Sequence, residues 1–184
     1  FNKKQSFLES ILKIVNDKIN TESSMIQFKN FLIKKLNTNK TLFASLNNGN
    51  LSLIFANNKN ITPLENFKQF ILSKQIINHK YMWDLLSRPG ILFPNGLNIF
   101  IFTSNVILCP KGYNISNIYD LNRDSVYIYN SDKYYEPIYL IKYIKRNDIK
   151  LINTFNITYN EPGLFYNLIL KYCKQYYDID WDRV

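Results

Sequence analysis

The chain has 184 residues, 46% of them hydrophobic and 20% charged, with a formal net charge of +9. That length suits one domain able to bury roughly 70% of its unfolded surface, and an aromatic content of 16% excludes a disordered chain, which would be too poor in apolar groups to offset its entropy. Two cysteines, Cys109 and Cys173, exclude a disulfide-stapled framework and a cysteine zinc site, and they favour a reducing compartment.

The first element is a helix over 6–19. Ser6-Phe7-Leu8-Glu9 has the spacing of a capping box, with Ser6 as the N-cap, and Leu8, Leu12, Val15 and Ile19 recur on one helical stripe. Ser24-Met25-Ile26-Gln27 repeats the device and opens a helix over 24–37, whose apolar face is Phe28, Phe31, Leu32 and Leu36. Asn47-Asn48-Gly49-Asn50 is a turn signal leading into a short strand, Leu51 to Phe55. Thr62, Pro63 and Glu65 start a third helix, because proline is preorganised for the first helical position. A fourth helix over 80–86 places His79 at its start, partly solvated, and stops before Arg88-Pro89-Gly90.

Beyond Gly90 the residues become β-branched and aromatic. Leu97 to Thr103, Val106 to Cys109, Ser125 to Tyr129 and Tyr134 to Ile144 read as strands, with Asn130-Ser131-Asp132-Lys133 turning the last two into a hairpin. A closing helix is expected over 163–177. Helices first and strands after, with no βαβ alternation and no glycine-rich dinucleotide loop, predict a single α+β domain over 1–184. Its N-terminal helices should pack on a mostly antiparallel C-terminal sheet.

Charge is unevenly spread. Residues 1–80 hold 12 Lys against 4 acids, a net +8, while 81–184 hold 11 Lys plus Arg against 10 acids, a net +1. The basic half nominates Lys29, Lys34, Lys35 and Lys40 as a surface for phosphate backbones or acidic partners. Only four arginines occur, which argues against sequence-specific base reading. On the strand 125–129, Tyr127 and Tyr129 share a face and form a candidate interaction surface.

Catalytic groups are sparse. His79 is the only histidine, which rules out a histidine-rich metal site, and a cysteine dyad would have to pair His79 with Cys109 or Cys173. Asp178, Asp180 and Asp182 lack the turn glycine of known calcium loops and read as a solvated tail, while Asp120, Asp124 and Asp132 fall in turns. No metal or other cofactor is expected. Phe1 in place of Met, with no basic-then-apolar leader after it, reads as a fragment or processed product without a signal peptide. The uncharged run Leu97 to Pro110 is broken by Asn98, Thr103, Ser104 and Asn105 and falls short of the roughly 20 apolar residues that cross a bilayer. No membrane partner is expected.

The order of these elements carries a resemblance. A helix opening near the N-terminus, further helices, the strand Leu97-Asn98-Ile99-Phe100-Ile101-Phe102 and a hairpin entering Tyr134-Tyr135-Glu136-Pro137-Ile138 resemble OTU-type cysteine proteases of the papain-like superfamily, which remove ubiquitin or related chains. The resemblance implies a papain-like fold. It also implies a nucleophilic cysteine opening the first helix, where the helix dipole favours thiolate, and a histidine opening a late strand. In this chain the nucleophile position falls on Ser6 and the histidine position on Tyr134, with Tyr135, Glu136 and Pro137 matching the rest of the strand pattern. A serine needs a neighbouring base, and a tyrosine with a pKa of about 10 is not one at neutral pH. The resemblance therefore implies a pseudoenzyme. Over Tyr81 to Tyr139 the chain also resembles uncharacterised proteins of nucleocytoplasmic large DNA viruses, through Trp83-Asp84-Leu85-Leu86, Leu92-Phe93-Pro94-Asn95-Gly96-Leu97-Asn98, Cys109-Pro110 and Tyr134 to Tyr139.

Together these readings predict a noncatalytic OTU-like interaction or structural module of a large DNA virus, in the host cytoplasm or virion. Its partner would be a protein, ubiquitin-like or viral. The alternatives are nonspecific nucleic-acid binding through the basic helical half and an active cysteine hydrolase using Cys109.

Overall fold

The computed structural model describes residues 3–19, 22–39, 41–56, 61–108, 119–131, 134–145 and 148–155. Lys40, Cys109, Cys173, Asp132, the expected closing helix and the carboxylates at 178, 180 and 182 lie outside them.

Helix α1 (Ser6–Ile19) continues from a 3-10 turn at Lys3–Gln5, so Ser6 lies inside the helical run. Phe7, Leu8, Ile11, Leu12 and Ile14 are buried along it, the broad apolar face of a helix seated on a core. Burying a side chain such as Phe7 contributes about 1.5–3 kcal/mol relative to leaving it in water. Helix α2 (Met25–Thr38) starts as its sequence requires: the Ser24 hydroxyl accepts from the Gln27 N–H at 3.3 Å, and the Gln27 amide oxygen accepts from the Ser24 N–H at 2.7 Å. Two orphan donors of the first turn are thereby satisfied.

The strand expected at Leu51 to Phe55 is a helix. After the short α3 (Leu42–Ser45), Asn47, Asn48 and Gly49 all take positive φ, at 50°, 55° and 86°. Asparagine and glycine tolerate that conformation best, and the reversal launches α4 (Asn50–Ile54), which buries Leu51. The Asp84 carboxylate fixes the turn by accepting from the Asn47 N–H at 2.8 Å, while the Asn47 amide donates to the Lys80 carbonyl at 2.8 Å. Asp84 is itself buried and paired with Arg88 at 2.7 and 2.9 Å, which compensates its desolvation. Helix α5 (Pro63–Leu72) is capped by the Thr62 hydroxyl and α6 (His79–Ser87) by the Asn78 side chain.

A four-stranded sheet in the order β2-β1-β3-β4 packs on these helices, built from β1 (Leu97–Phe102), β2 (Ile107–Leu108), β3 (Asp124–Asn130) and β4 (Tyr135–Pro137). It is mixed, which corrects the expectation of a mostly antiparallel sheet. Its central and longest pairing, β1 with β3 from Leu97↔Asp124 to Phe102↔Tyr129, is parallel, whereas β2 and β4 flank it antiparallel. A buried parallel pair suits the near-continuous apolar run of β1, where only Phe102 is not fully buried. Gly96 enters β1 at φ 88°, and a Cβ there would lie 2.6 Å from the Ser87 carbonyl oxygen. Trp83 ties α6 to β1 by donating to the Ile99 carbonyl at 3.0 Å. The buried Asn98 amide donates to the Asp120 carbonyl at 2.8 Å and accepts from the Asp120 N–H at 3.0 Å, holding the approach to β3.

The single strand expected over 134–144 divides. The Ile138 N–H still donates to the Tyr127 carbonyl of β3 at 2.8 Å, and beyond it the chain forms a separate ribbon of β5 (Leu140–Lys145) and β6 (Asp148–Ile152).

Candidate functional site

The N-terminal end of α1 meets the edge strand β4, and the two serines one turn apart on α1 grip a single residue of that strand. The backbone N–H of Tyr135 donates to the Ser6 hydroxyl oxygen at 3.0 Å, and the Ser10 hydroxyl donates to the Tyr135 carbonyl at 2.9 Å. Ser6 and Ser10 are each 1% exposed. An edge strand presents polar backbone groups that are costly to bury without partners, and the i, i+4 spacing sets both hydroxyls on one face of the helix to receive them.

The Tyr135 side chain closes the same junction. Its hydroxyl shares a 2.6 Å hydrogen bond with Nδ1 of His79. Phe7 packs edge-on against both rings, at 5.2 Å from Tyr135 and 6.3 Å from His79. His79 is 3% exposed, which corrects its expected placement at a solvated helix start. Burial lowers its pKa to about 3, with the Lys80 charge adding to the effect, so the imidazole is neutral at pH 7.

The Ser6 hydroxyl, 1% exposed, accepts from the Tyr135 peptide N–H, so it serves as a backbone acceptor that joins the helix to the strand. Among the sequence-predicted positions, Ser6 and the strand carrying Tyr134 are brought together, but it is Tyr135 that bonds Ser6. Ser10 and His79 complete the junction. The spacing of Ser6 and Ser10 was visible in the sequence; the pairing of His79 with Tyr135, 56 residues apart, had no local signal.

Of the four lysines, Lys40 lies outside the described residues, and the other three differ in setting. Lys29 is buried at 5% exposure and donates to the Ser73 carbonyl at 2.9 Å, beside the Gln5 amide, which donates to the same oxygen at 2.7 Å. Burial lowers its pKa. It anchors α2 to the end of α5, where a cation complements the helix dipole, and this removes it from the candidate binding set. Lys35 donates to the Gly90 carbonyl at 2.6 Å with its ammonium 5.4 Å from the Phe31 ring centroid, and Lys34 is exposed. The tyrosine row is likewise corrected: Tyr127 is buried, stacked on Phe100 at 5.7 Å and packed against Phe155 at 4.8 Å, leaving Tyr129 alone at the surface with 37% exposure. Alternation put both on one face, but that face is a second packed layer at Tyr127.

An open groove of about 530 Å³ runs along α1, lined by Glu9, Leu12, Lys13, Asn16, Asp17, Glu22 and Met25. Asp17 in it accepts from the Asn153 amide at 2.7 Å, binding α1 to the root of the ribbon. Among the described residues no three His, Cys, Asp or Glu side chains are grouped to hold a metal, and no helix is long and apolar enough to cross a membrane.

The chain is similar to an uncharacterized protein of Acanthamoeba polyphaga mimivirus, 26% identical over 161 residues. The match covers 77% of this chain and 9% of that protein's length. No known protein family matches the sequence, and no solved structure matches it.

Proposed function

We propose that the chain is a noncatalytic interaction module of a large DNA virus protein, built on a papain-like, OTU-like scaffold whose nucleophile position is held by Ser6 and whose base position is held by Tyr134. The observation that carries this reading is the bond from the Tyr135 N–H to the Ser6 oxygen. It supports the late strand lying against the first helix in the manner of the papain-like resemblance, and it gives the Ser6 oxygen a structural role as a backbone acceptor. Similarity to the mimivirus protein supports the viral setting, and on this reading the chain works inside the infected cell or in the virion, through a protein partner. The nucleic-acid alternative is weakened by the burial of Lys29.

Incubation with ubiquitin chains and with a ubiquitin vinyl-sulfone probe tests the reading. The expected result is neither cleavage nor adduct. Turnover abolished by Ser6→Ala, by Cys109→Ala or by His79→Gln would refute it.

A further inference from the structure

The ribbon of β5 and β6 exposes an apolar face on which none of the other described elements packs a strand. In its register Ile141 stands opposite Leu151 and Tyr143 opposite Ile149. Directly opposed residues share a face and successive residues alternate, so these four side chains form one wholly apolar surface. Their exposures are 51%, 57%, 75% and 54% in the order Ile141, Leu151, Tyr143, Ile149. On the other face Lys142 stands directly opposite Lys150, both exposed, and neither forms an ion pair among the described residues.

Both features are unfavourable in a free ribbon. Like charges directly opposed across strands repel, and a two-stranded sheet is marginal without a third strand or a packed face. Among the described residues no other strand pairs with β5 or β6. An unpaired strand edge is a template for another chain, and here it adjoins an apolar face and a lysine pair.

We propose that the ribbon docks an extended segment of a protein partner, added as a third strand at an outer edge, in which apolar residues alternate with Asp or Glu. Residues of an added strand point in turn to the two faces. Its apolar side chains would extend the Ile141, Tyr143, Ile149 and Leu151 surface, while its carboxylates would come beside Lys142 and Lys150 and relieve their repulsion. Main-chain hydrogen bonds supply affinity in this mode and alternate side chains supply specificity. The net charge of +9 favours the approach of an acidic segment. A second copy docking ribbon to ribbon fits less well, since that ribbon brings lysines where carboxylates are needed. This docking rests on the reading of the chain as an interaction module but not on the state of Ser6, so peptide binding accompanied by ubiquitin cleavage would sink only the noncatalytic reading.

Fluorescence anisotropy with the whole chain tests it, using a labelled eight-residue peptide alternating valine and glutamate and a second with lysine for glutamate. The glutamate peptide is expected to bind at least about tenfold more tightly, and Tyr143→Ser to weaken it by about tenfold. Lys142→Glu combined with Lys150→Glu should invert the preference between the two peptides. These residues are exposed, so the variants keep the fold, as circular dichroism would verify. Absence of binding at about 1 mM peptide, equal binding of both peptides, or a preference unmoved by the double charge reversal would overturn the docking mode. Self-association of the chain that disappears in Tyr143→Ser would overturn it in favour of a second copy.

Discussion

The α1–β4 junction and the β5–β6 ribbon lie next to each other in the chain, separated only by Ile138 and Tyr139, yet they handle polar and apolar groups in opposite ways. At the junction the backbone N–H and C=O of Tyr135 are both met by serine hydroxyls, and Phe7 is fully buried against Tyr135 and His79. On the ribbon four large apolar side chains are more than half exposed and two lysines face each other. On the proposed reading the contrast separates two jobs: the α1–β4 junction is packed as structure, and the ribbon is the surface proposed to gain a partner.

That contrast should appear in stability. The largest loss is expected from Phe7→Ala, about 3–5 kcal/mol for removing a buried aromatic that its neighbours cannot replace, measured by urea unfolding. A loss below about 1 kcal/mol would mean that the junction is soft. Next comes acid. His79 has a pKa of about 3 in the folded chain against 6.5 for an ordinary histidine, so between those values the unfolded chain binds the extra proton. Its contribution is complete above pH 6.5 and is lost as pH falls toward 3, on the order of 3 kcal/mol by pH 4. His79→Gln should flatten that part of the stability profile, and an unchanged slope would contradict the burial argument.

Ser6→Ala leaves a buried N–H without its acceptor and should cost about 1–3 kcal/mol, with Ser10→Ala similar through the Tyr135 carbonyl. A near-neutral Ser6→Ala would break the structural account of that hydroxyl. Smallest of all is Tyr143→Ala on the ribbon, expected within about 0.5 kcal/mol of the parent chain because its ring packs on little.

Much of the helical half was legible because its signals are local. The Ser24 and Gln27 box, Thr62 with Pro63, and the stop at Arg88-Pro89-Gly90 each fix a boundary within one turn. The Leu51 to Phe55 run was misread since a short apolar stretch has no decisive period, and the left-handed Asn47-Asn48-Gly49 turn that makes it a helix also resembles a hairpin signal. The parallel β1–β3 pairing was hidden because it joins residues 27 positions apart. Lys29 and His79 were misplaced for a shared reason: residue type predicts solvent, while the Ser73 carbonyl and the Tyr135 hydroxyl supply buried partners from distant segments. For the site, Ser6 and the strand beginning near Tyr134 could be named in advance. Which tyrosine touched the serine, and that its backbone did so, required the fold.

The most direct test of the central claim is labelling of the folded chain with a fluorophosphonate serine probe, followed by peptide mass spectrometry. Buried at 1% exposure with its oxygen engaged by the Tyr135 N–H, Ser6 should remain unmodified under conditions that label a serine hydrolase fully. A phosphonylated Ser6, formed only while the chain is folded, would show an activated nucleophile at the head of α1 and contradict the account.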